Sequence, residues 1–438
     1  MSGSPEAVAR DPRYERWRWQ IFSITWLAYV GFYLTRKSFA VAKIELEKPE
    51  VMGLSRPEMS GIDFAYLTAY AIGQFIWGMA GDKFGPRPVV LCGMLGSMVA
   101  AVAMGASSST LMMGGFFFLQ GLCQSTGWAP LAKNLGNFFS RRERGVIMGF
   151  WCTNYSVGGW VASIYAGFVG QQLGWRFAFF IPAATLLGIW VLFVLFQRNR
   201  PEDVGLPAVE TYHHEAPDVP LPGESPKSES QGSWKVIVDV LHNRMVVFLA
   251  AIYFCLKPAR YAILLWGPKY INDKLGTGMA ASGFLSAMFE LAGPFSVIVA
   301  GFLSDKIFGS RRMPVSVICL ALLAVVLFVL DKLPATGWML GGCLFLIGFL
   351  TYAPDSLISG TAAVDFGTKR GASTASGLVN GAGSVGAIVG GTLPGLVQAR
   401  WGWQGVFTVL ATAILVAALL LLPKWNALPA EAKSSPPT

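Results

Sequence analysis

Twelve apolar stretches recur along the chain, near residues 19–42, 60–80, 88–106, 111–132, 146–168, 176–196, 244–268, 280–303, 314–330, 337–354, 373–396 and 403–422. Each is roughly 18 to 25 residues long, enough for a helix to cross about 30 Å of hydrocarbon. Composition agrees: 53% of residues are hydrophobic and 13% charged, against about 25% charged in a soluble globular domain. The expectation is an all-α membrane protein with twelve transmembrane helices.

A net charge of +9 does not mark a nucleic-acid binder, because the cations sit in short loops between apolar stretches. With the N-terminus cytoplasmic, the inside segments hold 21 Lys and Arg, the outside segments eight, and the spans five (Arg36, Lys37, Lys133, Lys257, Arg260). That bias places both termini inside. The first apolar run is too long for the core of a cleavable signal and is expected to stay as a span. Cys92, Cys123, Cys152, Cys255, Cys319 and Cys343 all lie in apolar stretches without metal-ligand spacing and read as packing residues. His213-His214 has no further ligands nearby, so neither a metal nor another cofactor is expected.

Cations at bilayer depth mark functional sites by default. Arg36 and Lys37 interrupt the first span, and Arg260 interrupts the seventh, 224 positions later. On the first helix Tyr29, Tyr33, Arg36 and Ala40 share one face, which must look inward. Other pairs keep nearly the same offset: Asp82 with Asp305 (223), Pro130 with Pro354 (224), Arg144-Gly145 with Arg370-Gly371 (226), Gly158 with Gly386 and Trp175 with Trp403 (228 each). Six spans are therefore repeated in parallel, which relates the halves by an axis along the membrane normal. The organisation expected is a cytoplasmic segment 1–18, a six-helix bundle 19–197, a cytoplasmic linker 198–243, a second bundle 244–422 and a tail 423–438.

The loops Gly78–Arg87 and Gly301–Arg312, each with Asp-Lys followed by a glycine turn and basic residues, resemble the major facilitator superfamily. Further stretches are similar to its organophosphate:inorganic phosphate antiporter family: Phe32–Phe39, Gly127–Pro130, Arg142–Gly145, Asn154–Gly159, Arg200–Pro207, Arg260–Trp266, Phe289–Gly293 and Ser304–Lys306. The opening segment Asp11–Phe39 most resembles that family's hexose-phosphate sensor branch. The resemblance implies two pseudo-symmetric six-helix bundles and exchange of a sugar or polyol phosphate, of the hexose 6-phosphate or glycerol 3-phosphate type, for inorganic phosphate. It also implies alternating access in a cell inner membrane, with a monomer as the working unit. The arginines matching Arg36 and Arg260 are the family's phosphate ligands. Two positions depart from the family pattern: Gln74 stands where many members carry Lys, and Tyr155 where they carry His.

A guanidinium suits phosphate because its planar donor fork binds bidentately and stays charged. Tyr33 and Tyr155 are candidate hydrogen-bond donors, as is Tyr261, and Lys37, Lys257 and Gln74 complete the expected substrate contacts. Glu290, alone in the eighth span, reads as a charge-balancing partner, and Lys257 has it within expected reach. Asp82 and Asp305, at helix ends, are expected to gate. Lys133 either faces the cavity or reaches the cytoplasmic interface, and Asp63 and Asp355 have no partner legible in sequence. No nucleophile-base set or cofactor motif appears, so an enzyme is not expected. The rival reading is a transporter-like receptor for external hexose phosphate.

Overall fold

In a computed structural model of the chain, residues 11–213, 241–309, 311–362 and 372–427 are described. Most of the expected linker and tail, with His214 and Arg370-Gly371, lie outside the described residues. The first half consists of α1 (Pro12–Leu46), α2 (Arg56–Phe84), α3 (Pro86–Ala106), α4 (Thr110–Gln124), α5 (Trp128–Phe138), α6 (Arg141–Trp151), α7 (Thr153–Leu173) and α8 (Phe177–Phe196). A short helix α9 (Val209–Tyr212) follows. The second half holds α10 (Arg244–Leu275), α11 (Met279–Phe302), α12 (Arg312–Leu330), α13 (Gly337–Ser356) and α14 (Ala372–Leu421).

Helix starts follow the polar residues that precede each apolar run. Asp11 accepts from the Arg13 amide ahead of Pro12, and Ser55 with Glu58 forms a reciprocal capping box before α2. Asn243 accepts from the amides of Met245 and Val246. Each satisfies amides that a helix start would otherwise leave unpaired.

Among the described residues, seven helices are long and apolar enough to cross a membrane. They account for eight expected spans, since α14 carries the last two on either side of a kink at Gly402. The other four expected spans miss that threshold for visible reasons. Charges interrupt α1 and α2, the fourth span breaks between Gln124 and Trp128 into α4 and α5, and the fifth breaks at Cys152 into α6 and α7.

The internal repeat reappears in the backbone. Gly85 and Gly309, in the two Asp-Lys loops, have φ of +84° and +56°; Gly174 and Gly402, preceding the paired tryptophans, have +97° and +64°. Such angles suit glycine, which has no Cβ to clash.

The halves meet along α7 with α11 and along α2 with α14. In the first seam a Cβ on Gly167 would fall 2.7 Å from the Met279 carbonyl, and in the second one on Gly395 would fall 2.4 Å from the Arg56 carbonyl. These seams join the fifth expected span to the eighth and the second to the eleventh, pairs that the repeat interchanges. Small residues let the backbones approach this closely.

Candidate functional site

The face of α1 that carries Tyr29, Tyr33, Arg36 and Ala40 is buried, as its spacing predicts. Arg36 is only 4% exposed, yet its hydrogen-bond and ring partners among the described residues are neutral. Its Nε donates to Gln124 Oε1 at 3.0 Å, and its guanidinium lies over the rings of Tyr33 (4.3 Å), Tyr70 (4.9 Å) and Tyr66 (5.8 Å). Gln124 is itself fully engaged: its oxygen also accepts from Tyr66 Oη at 2.8 Å, and its nitrogen donates to the Phe32 carbonyl at 3.1 Å and to Thr35 Oγ1 at 2.9 Å. An amide held at four points fixes the guanidinium without neutralising it, and Nη2 is left with no hydrogen-bond partner among the described residues.

Arg260 is also buried, at 7% exposed, but it is met by a carboxylate. Nη1 donates to Asp355 Oδ2 at 2.9 Å, while Asp355 Oδ1 lies 3.0 Å from Lys257 Nζ. The guanidinium stacks near Tyr352 (4.7 Å) and Tyr155 (5.1 Å). Ring contacts connect the two arginines' surroundings: Tyr33 to Tyr29 (5.9 Å), Tyr29 to Trp128 (5.6 Å), Trp128 to Tyr155 (6.4 Å) and Tyr155 to Tyr352 (6.1 Å). The expected residues Tyr33, Arg36, Tyr155, Lys257 and Arg260 thus line one central region between the halves.

Lys37 crosses to the other half, with its ammonium 2.7 Å from the Leu264 carbonyl and 3.1 Å from Glu290 Oε1. The expected reach of Lys257 to Glu290 is therefore corrected. Lys257 shares a helix face with Arg260 and turns with it toward Asp355 on α13, whereas Glu290 faces α1 and α7 and accepts from Ser163 at 3.3 Å. Gly159 makes room for that carboxylate, since a Cβ there would fall 2.0 Å from Glu290 Oε1.

Among the remaining expected residues, Tyr261 stays with the central region, its ring 5.9 Å from the Lys257 ammonium. Gln74, one turn beyond Tyr70 on α2, and Tyr261 are half-buried. Asp305 is more than half exposed and paired with Arg312 at the surface, and the side chain of Asp82 lies outside what is described. Lys133 reaches the Gly81 carbonyl at 3.4 Å, toward the loop end.

Three features escaped the sequence reading: the role of Gln124, the partners of Asp355 and the burial of Lys43. Gln124 and Asp355 are polar residues in apolar spans, a signal that flags a site without naming a partner. Lys43, counted outside, lies within the longer α1, is wholly buried and pairs with Asp63 while donating to the Leu265 carbonyl at 3.1 Å.

At the end of the molecule bearing the α1–α2 turn, four charges close a ring between the halves. Glu47 meets Arg56 at 2.9 Å and Lys269, Arg56 meets Asp273 at 2.8 Å, and Asp273 meets Lys269 at 2.6 Å. Trp403 Nε1 adds a 2.8 Å bond to Asp273. The ion pairs between described residues that join the halves all lie here or in the central region.

The profile of the Major Facilitator Superfamily matches residues 25–390. The chain belongs to the major facilitator superfamily. Its relatives there are the ones the motifs pointed to. It is 31% identical to the probable hexose phosphate transport protein of Chlamydia pneumoniae, over 95% of this chain and 92% of the relative. It is 31% identical to the glycerol-3-phosphate transporter of Bacillus subtilis (95% and 94%) and 31% identical to the membrane sensor protein UhpC of Escherichia coli (95% and 94%). These relatives are transporters and a membrane sensor rather than enzymes. The fold of this major facilitator protein matches the crystal structure of a bacterial homolog of the human lysosomal transporter Spinster, at TM-score 0.73 and 13% identity, over 95% of this chain and 96% of that one.

Proposed function

We propose that the protein exchanges a phosphorylated sugar or polyol, of the hexose 6-phosphate or glycerol 3-phosphate type, for inorganic phosphate across a cell inner membrane. The observation that carries this reading is the pair Arg36 and Arg260, buried between the halves with unfilled donors at Arg36 Nη2 and Arg260 Nε. Around them stand four cations, Arg36, Lys37, Lys257 and Arg260, against two carboxylates, Glu290 and Asp355. Two positive charges remain. A phosphate monoester near pH 7 carries about −1.5 to −2 charge, so one such ligand balances the region, and guanidinium forks bind it bidentately.

The mechanism is alternating access, with the bundles rocking about the central site. A phosphoryl group held by Arg36 of one half and Arg260 of the other draws the halves together, and its binding energy favours the states that use both arginines. Without an anion the uncompensated cations oppose closure, so the carrier returns only with a second phosphate, and exchange is obligate. With the N-terminal face cytoplasmic, as the loop charges require, the ring of Glu47, Arg56, Lys269 and Asp273 closes the outer end. The monomer holds the whole site, and its ligands are an organophosphate, inorganic phosphate and the surrounding bilayer.

The test is counterflow of labelled phosphate in proteoliposomes. Arg36→Lys and Arg260→Lys are each expected to cut exchange at least about 100-fold, because an ammonium cannot reproduce the fork. Undiminished exchange in either would defeat the clamp, and uptake into vesicles lacking internal phosphate would defeat strict antiport. A sensor reading is favoured by the equal identity to UhpC; tight hexose-phosphate binding with no exchange in the same vesicles would select it.

A further inference from the structure

The two arginines differ in one respect that the repeat does not predict. Arg36 is held by a neutral amide, whereas Arg260 has Nη1 committed to Asp355 at 2.9 Å. Asp355 is 5% exposed and touches two cations, Arg260 through Oδ2 and Lys257 through Oδ1 at 3.0 Å. A phosphoryl oxygen approaching Arg260 meets this carboxylate on the same guanidinium. Two anions on one buried cation repel at a separation of a few Å, and the repulsion grows as water is excluded. The carboxylate also has somewhere to go, because Lys257, one helical turn before Arg260, already holds its other oxygen.

We propose that Asp355 is a built-in competitor for the phosphate site and sets the balance between capture and release. It occupies the Arg260 fork as an internal anion, yields it to an arriving phosphoryl group by shifting onto Lys257, and takes it back as the phosphate leaves. Arg36, with no carboxylate partner among the described residues, makes the first contact, and Arg260 closes on the ligand second. The device keeps a doubly cationic pocket from holding phosphate too tightly to let it go, which an exchanger must avoid, since it has to release one anion to take the next. This inference rests on the phosphate-exchange reading above.

A merely structural Asp355, present to neutralise buried cations, predicts the opposite sign for binding. Removing one partner of a buried pair would disorder Arg260 and weaken the site. Competition predicts that losing the carboxylate strengthens it.

The experiment pairs equilibrium binding of labelled inorganic phosphate to the full-length protein in nanodiscs with exchange rates in proteoliposomes. Asp355→Asn is expected to lower the Kd by about tenfold, the size of one charged hydrogen-bond competition, and to slow exchange because release becomes limiting. Asp355→Glu, which keeps the charge, should show no tightening of phosphate binding. Lys257→Gln removes the alternative seat, leaves the carboxylate on Arg260 and should raise the Kd several-fold, while the double variant should bind like Asp355→Asn alone. Unchanged or weaker phosphate binding in a folded Asp355→Asn protein overturns the proposal. Should that variant not fold, Asp355→Ser takes its place: tighter phosphate binding supports competition, and unchanged or weaker binding ends it. Failure of the parent itself to bind phosphate would instead defeat the functional reading, so the two failures are separable.

Discussion

Arg36 and Arg260 occupy equivalent places in a duplicated chain, yet their surroundings have diverged. The first sits in a cradle of neutral groups, a four-point amide and three tyrosine rings, that fixes its direction and leaves its charge intact. The second sits between a carboxylate and two tyrosine rings, with a lysine sharing the same carboxylate. Duplication delivers two arginines to one axis, but a clamp with two identical jaws would bind and release in a single step. In the proposed exchange, unequal jaws give an order, with a strong first contact and an adjustable second one.

The most direct way to break that asymmetry is to give Arg36 a carboxylate too. Gln124→Glu preserves length and the contact to Arg36 while adding a charge, so the N-terminal jaw would come to resemble the C-terminal one. Phosphate binding is expected to weaken by up to about 30-fold, the upper end of the difference between a charged hydrogen bond and the neutral one it replaces. Gln124→Leu removes the amide and leaves Arg36 Nε and Tyr66 Oη without their acceptor, and a smaller loss of about tenfold is expected. Binding of labelled phosphate measures both. A stronger effect from Leu than from Glu would mean that orientation, rather than charge, distinguishes the jaws.

Much of this arrangement was legible in sequence, and what was not has a physical explanation. The arginines, the repeat and the glycine turns are visible because each rests on residue type at a fixed spacing: a charge in an apolar run, or a glycine where φ must be positive. Partnership is another matter. Lys257 could be placed near Arg260 from helix geometry, but whether it met Glu290 or Asp355 depends on how α10 turns between α11 and α13, which a single helix does not encode. Lys43 was misplaced because a span edge drawn from hydropathy stops at Ala42, where the charged run of Lys43, Glu45, Glu47 and Lys48 begins. The structure continues α1 another turn, since Asp63 and the Leu265 carbonyl receive that charge inside. Gln124 is a polar side chain in an apolar span, and only contacts contributed by α1 and α2 show that it positions Arg36.

The central pair can also be set against the ring at the end bearing the α1–α2 turn, which holds the halves together without facing the arginines. Lys269 is 3% exposed, and its ammonium contacts both Glu47 and Asp273. Lys269→Gln removes one of the two cations that bridge Glu47 and Asp273 across the seam and leaves Arg56 to hold both. Discounted for the partial exposure of those partners, the loss is about 1 to 2 kcal/mol, or roughly tenfold in the balance between closed and open states of that end. Spin labels at positions 48 and 332, in a background without native cysteines, should report a larger population of long distances. The intrinsic phosphate affinity at the arginines should stay near the parent value. A change confined to affinity, with no shift in distances, would tie the ring to the site instead.

The smallest effect is expected at the loop aspartate of the second half. Asp305 pairs with Arg312, whose guanidinium also reaches Ser304 Oγ at 3.0 Å, and the Asp305 side chain is 53% exposed. Pairs this open to solvent contribute less than about 1 kcal/mol, so Asp305→Asn should leave the Tm within a few degrees of the parent. The expected gating role makes a separate demand. The five residues Leu303–Ile307 form a π-helical turn that carries Asp305 at the end of α11, the helix that also carries Glu290 of the central region. If that turn is held by the pair, its loss changes how fast the halves reorient and not how tightly phosphate is held. Exchange should therefore change by a few-fold at constant Kd. An altered Kd would show that the loop reports to the arginines through α11, and the contrast between the unequal jaws and the surface would then have to be redrawn along that helix.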